Sequence, residues 1–93
     1  MRVEFSAEAQ ADLEEIGAYI AQDSAAAAEE WIDRLVDRAL AAGHVPLAGR
    51  VVPELGDSAI REVRLRAYRI IYRVETRRMV VLTIIEGHRR LMR

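Results

Sequence analysis

The chain has 93 residues, 52% of them hydrophobic, with 14 Arg or Lys against 15 Asp or Glu and a formal net charge of −1. That length holds one core and excludes a second domain, and no apolar run approaches the roughly 20 residues that cross a bilayer. Cysteine is absent, which excludes a disulfide scaffold and a thiolate metal site and fits a reducing cytoplasm.

Arg2-Val3-Glu4-Phe5 alternates and reads as a short first strand, so no signal peptide is expected. Ser6 is the expected N-cap of a helix over Ala7–Ala21, with Glu8 in its first turn, where the helix dipole favours a negative charge. Leu13, Ile16 and Ile20 fall on one stripe of that helix, while Asp12, Glu14 and Glu15 fall off it and read as a solvated face. Ser24 is the expected cap of a second helix over Ala25–Ala42. Its apolar face is Ile32, Leu35, Val36, Ala39 and Leu40, with Trp31 beside it and Gly43 beyond its end. Two helices joined by three residues should form an antiparallel hairpin.

From His44 to about Ala59 the periodicity lapses, broken by Pro46, Gly49, Pro53 and Gly56. Alternation resumes at Ile60. Val63 and Leu65 share one parity, and Glu62, Arg64 and Arg66 the other; after a tight turn Tyr68, Ile70, Tyr72 and Val74 alternate with Arg69, Ile71 and Arg73. Met79–Glu86 is nearly all apolar and is expected inside the sheet, covered on both faces. The expected fold is therefore α+β: an N-terminal strand, a helical hairpin, then a three-stranded antiparallel meander, with the helices on one face of the sheet.

The small net charge conceals a division. Residues 1–46 carry three Arg against ten acidic residues, a net of −7, while residues 47–93 carry eleven Arg against five, a net of +6. All the basic residues are Arg. Strands that pack on one parity and carry arginine on the other offer a basic face to an anionic partner, either nucleic acid or an acidic protein surface. Other chemistry has little support. The only histidines, His44 and His88, come with no metal-ligand spacing, and no serine sits in a nucleophile elbow or a phosphate loop. No metal or cofactor is expected. Tyr68 and Tyr72 share parity with Ile70, so they belong to the core rather than to a base-stacking platform.

The ordered set Phe5-Ser6-x-x-Ala9-x-x-Asp12-Leu13-x-x-Ile16-x-x-Tyr19-Ile20, Gly49-Arg50-x-x-Pro53-Glu54-Leu55, Ile60-Arg61-Glu62, Tyr68-Arg69-Ile70-Ile71-Tyr72-Arg73-Val74 and Gly87-His88-Arg89-Arg90 resembles the ParE toxins of the RelE/ParE superfamily. The resemblance covers nearly the whole chain. It implies the toxin of a type II toxin–antitoxin module of the plasmid-stabilisation kind. Such a toxin inhibits DNA gyrase, without an enzymatic activity of its own, and is neutralised in a hetero-oligomer by a ParD-like antitoxin. On that reading the target-binding residues are Arg61, Arg64, Arg66, Arg69, Arg73, Arg89 and Arg90. The antitoxin-binding residues are Leu13, Ile16, Tyr19, Ile20, Trp31 and Leu35. The RelE-like alternative is a ribosome-dependent mRNA endonuclease, with Arg64, Arg69 and Arg89 as its catalytic set. Against it, Glu62 stands where a further basic group is expected and no Tyr follows Arg90. A third reading is a non-toxic relic that binds only its antitoxin.

Overall fold

Both serine caps form in the computed structural model, which describes residues 1–87. Ser6 and Ser24 hold extended backbone, and their hydroxyls accept from the free amides of Ala9 and Ala27 at 3.0 and 3.1 Å. Helix α1 spans Ala7–Ala21 and α2 spans Ala25–Ala42. The Ser6 hydroxyl also donates to the Leu82 carbonyl at 2.9 Å, tying the start of α1 to the last strand.

The strands are β1 (Arg2–Phe5), β2 (Arg50–Val51), β3 (Ile60–Leu65), β4 (Tyr68–Val74) and β5 (Arg78–Glu86). They form one sheet in the order β1-β5-β4-β3-β2. The antiparallel meander of β3, β4 and β5 is present, and β1 lies parallel to β5. The sheet is thus mixed and five-stranded, one strand more than the sequence pattern predicts. The extra strand, β2, is only two residues long and lies between Gly49 and Pro53, too short to show a period. Arg66 and Ala67 alone connect β3 to β4, with Arg66 at φ 54, so the tight hairpin is real.

Both helices pack on one face. Ala9, Leu35 and Ala39 meet Val63, Ile70, Tyr72, Met79, Val81 and Ile84 in a single buried cluster. Tyr72 is fully buried, and its hydroxyl donates to the Pro46 carbonyl at 2.6 Å, which anchors the start of the irregular 43–59 segment. Gly49 lets that segment pass: a Cβ there would collide with the Tyr72 hydroxyl. Val52, Ile71 and Val80 are buried outside this cluster, so the sheet is covered on its second face as well.

Asp12 departs from its expected place on a solvated face. Its Oδ2 accepts from the Thr83 hydroxyl at 2.5 Å and from the Ile84 amide at 2.9 Å. The register of β4 on β5 shifts at Ile71 and Tyr72, which face Thr83 and Val81, so Leu82 is a bulged residue. The Asp12 carboxylate satisfies backbone beside that bulge.

Candidate functional site

Alternation along β3 and β4 places Glu62, Arg64, Arg69 and Arg73 on the sheet face turned away from the helices. Arg64 lies directly opposite Arg69 across the hairpin. Two guanidinium groups in that position repel unless a carboxylate intervenes, and two carboxylates do. Arg69 grips Glu54 with both terminal nitrogens, at 2.8 and 2.9 Å, and reaches Glu62 Oε1 at 2.6 Å. Its Nε also donates to Glu62 Oε1 at 3.1 Å. Arg69 and Glu62 are each 3% exposed. Hydrogen bonds from Arg69, first to Glu54 and then to Glu62, push its pKa still higher, so it is permanently charged. Glu62 Oε2 has no hydrogen bond among the described residues, but the Arg50 and Arg64 side chains lie 3.3 and 3.7 Å from it.

The expected target-binding set therefore divides. Arg64, Arg66 and Arg73 are exposed. Arg69 is not on the open surface: its guanidinium is buried against Glu54 and Glu62. Arg61 is half-buried and is also tied within the fold. It shares the parity of Val63, and its side chain donates to the carbonyls of Ser58, Leu47 and Gly49 at 2.9, 3.1 and 3.1 Å, stapling the irregular segment. Arg89 and Arg90 lie outside the described residues. Arg50, absent from the expected set, adds an exposed guanidinium on the edge strand β2.

The expected antitoxin contacts divide too. Leu35 is fully buried in the core and offers nothing to a partner. Leu13 and Ile16 are partly buried against the core. Ile20 is half-buried. Trp31 is also half-buried, stacked edge-on to Tyr68 at 6.2 Å and covered by Arg34 at 4.8 Å. Tyr19 alone is open, at 72% exposure.

Arg78 bridges β1 and the β4–β5 turn, with Glu75 at 2.7 Å and Glu4 at 3.1 Å. Its hydrogen bonds hold both carboxyls below their ordinary value of 4.5. A depressed carboxyl stabilises the fold above its unfolded pKa and loses that contribution as pH falls through the folded value. The urea midpoint should therefore drop as pH is lowered from 5 to 3, and Arg78→Met should make that drop shallower. An unchanged acid slope in Arg78→Met would show that these pairs do not set the acid stability.

Among the described residues no helix is long and apolar enough to cross a membrane, and no three His, Asp or Glu side chains gather as a metal site. No curated protein sequence matches the chain significantly. Its fold is similar to that of a solved structure described as a chromosomal ParDE TA system from P. aeruginosa. That match has a TM-score of 0.77 and 20% identity, covering 92% of this chain and 95% of the other. The model of the family described as the ParE toxin of the type II toxin–antitoxin system, parDE, matches residues 3–91. The chain belongs to the ParE toxin family.

Proposed function

We propose that the chain inhibits DNA gyrase as the toxin of a type II toxin–antitoxin module and is neutralised by a cognate ParD-like antitoxin. The observation that carries this reading over the nuclease alternative is the burial of Arg69 between Glu54 and Glu62. A phosphate-cleaving site needs its cations free to meet the charge that develops in the transition state. Here the central cation of the expected catalytic set is already neutralised, and no histidine or tyrosine accompanies it on that face among the described residues. Exposed Arg50, Arg64, Arg66 and Arg73 instead suit a contact with an acidic surface on a protein–DNA machine.

Purified protein titrated into a gyrase supercoiling reaction should stop supercoiling at micromolar toxin and leave cleaved DNA. Unaffected supercoiling, with ribosome-bound transcripts cut instead, would replace this reading with the nuclease.

A further inference from the structure

The acidic half of the sequence has three arginines, Arg2, Arg34 and Arg38. Arg34 and Arg38 stand one turn apart on α2, which packs on β3. Arg38 Nε donates to the Arg64 carbonyl at 3.3 Å, which joins this side of α2 to the β3–β4 hairpin. Arg64 and Arg66 are exposed there, with Arg66 in the turn itself. The Arg34 guanidinium lies 4.8 Å from the Trp31 ring centre, and Trp31 meets the hairpin residue Tyr68 edge-on. Four guanidinium groups thus gather at one end of the molecule, from two elements distant in sequence. Arg34, Arg38 and Arg66 pair with no carboxylate among the described residues, and Arg64 reaches only Glu62, at 3.7 Å. Glu30, Asp33 and Asp37 share α2 but form no ion pair with these arginines. Like charges four apart on a helix repel, and a bound anion relieves that repulsion.

We propose that Arg34, Arg38, Arg64 and Arg66 hold the phosphate backbone of duplex DNA. The proposal rests on the gyrase reading above for its setting, since gyrase works on duplex DNA, but binding by the chain alone is a separate claim. A protein-binding site centres on large apolar side chains that are dried on contact. Here Trp31, Leu65 and Tyr68 are half-buried, and the exposed large apolar residues are Met1, Tyr19, Leu40, Val45 and Leu47, none of them in the hairpin. What the patch offers is guanidinium, a planar fork that fits phosphate oxygens. Single strands stack their bases on open rings, whereas Trp31 and Tyr68 are packed on each other and Arg34 covers Trp31. Backbone contact of this kind gives affinity without choosing a base sequence.

The test is fluorescence anisotropy of a short labelled DNA duplex titrated with the full-length chain. Binding should weaken at least about 100-fold between about 50 and about 200 mM salt, the loss expected of four phosphate contacts. Arg34→Gln with Arg38→Gln, which keeps most of both stems, should reduce the slope of log affinity against log salt by about 2, and Arg66→Asn by about 1. Asparagine tolerates the positive φ of that turn position, so Arg66→Asn should fold. Arg77→Gln makes the same change of charge in the turn at the other end of β4 and should leave the slope as it is. No binding at the lower salt, tighter binding of the matching single strand, or an equal loss in Arg77→Gln would overturn the proposal. So would an unchanged slope in Arg66→Asn. Capture of DNA-free gyrase through these arginines, with no binding to the duplex, would give the patch to an acidic protein surface and overturn the proposal equally. Supercoiling inhibition by the wild type, measured in parallel, separates the two claims. Duplex binding without inhibition sinks the gyrase reading alone, and inhibition without duplex binding sinks the patch alone.

Discussion

Arg69→Ala should destabilise the protein by about 3–5 kcal/mol, the scale on which removing one partner of a buried ion cluster leaves uncompensated charge. Glu62 would keep a buried carboxylate whose Oε1 has lost its donors, and Glu54 would lose a bidentate partner. A domain of this size has only about 5–15 kcal/mol to lose, so a large share of its stability hangs on this side chain. Neutralising the whole cluster, as Arg69→Met with Glu54→Gln and Glu62→Gln, should recover much of the loss, because no lone charge then remains buried. Urea unfolding of the three-residue variant beside Arg69→Ala checks this. If Arg69→Ala unfolds at the wild-type midpoint, the Arg69–Glu54–Glu62 cluster does not stabilise the fold. The result also bears on function: loss of toxicity in Arg69→Ala identifies a catalytic group only if the variant is shown to be folded.

Leu35→Ala should cost about 2–5 kcal/mol, through lost transfer energy and the cavity left behind. Leu35 is fully buried where α2 meets the sheet, in one cluster with Ile70, Tyr72 and Val81. For a chain of this length the melting temperature should fall by roughly 4–8 °C per kcal/mol. Scanning calorimetry of the variant decides between two roles. A residue that contacts the antitoxin would leave the melting temperature of the free toxin unchanged, and that outcome would contradict the packing described here.

What can be read in the sequence follows from how local each signal is. The Ser6 and Ser24 caps and both helices are legible because capping chemistry and 3.6-residue periodicity are written within a few positions. The meander is legible from period-2 alternation in its first two strands and from the continuous apolar run of its third. Strand β2 is not, because two residues have no period, and its pairing depends on Gly49 clearing the Tyr72 hydroxyl 23 positions away in sequence. The arginines are the harder case. Parity correctly sends Arg64, Arg69 and Arg73 to one face, but it cannot say which guanidinium is neutralised there. A usable signal exists: a two-residue turn sets Arg64 opposite Arg69, and that like-charge pair requires a carboxylate, which Glu62 supplies from the same strand face. Glu54 arrives from the irregular segment, where no periodicity can place it. Arg61 departs from expectation for the opposite reason. Its parity already puts it with Val63, yet its charge groups it with the exposed set. The helix stripes do separate Leu35, which lies on the apolar face of α2 and meets the sheet, from Tyr19, which lies off the α1 stripe and meets solvent.

If the exposed arginines of the sheet, and not the buried Arg69, carry a gyrase-directed activity, then removing them should disarm a protein that still folds. Gyrase supercoiling should be followed with wild-type toxin and with the combined Arg64→Ala, Arg66→Ala and Arg73→Ala variant, beside thermal unfolding of both. Exposed substitutions should each move stability by no more than about 0.5 kcal/mol, so the variant should still be folded under the conditions of the gyrase reaction. Its inhibition of supercoiling should be weaker by at least about tenfold, as expected when several charges leave an interface. Full inhibition by the folded variant, or none by the wild type, would contradict this assignment.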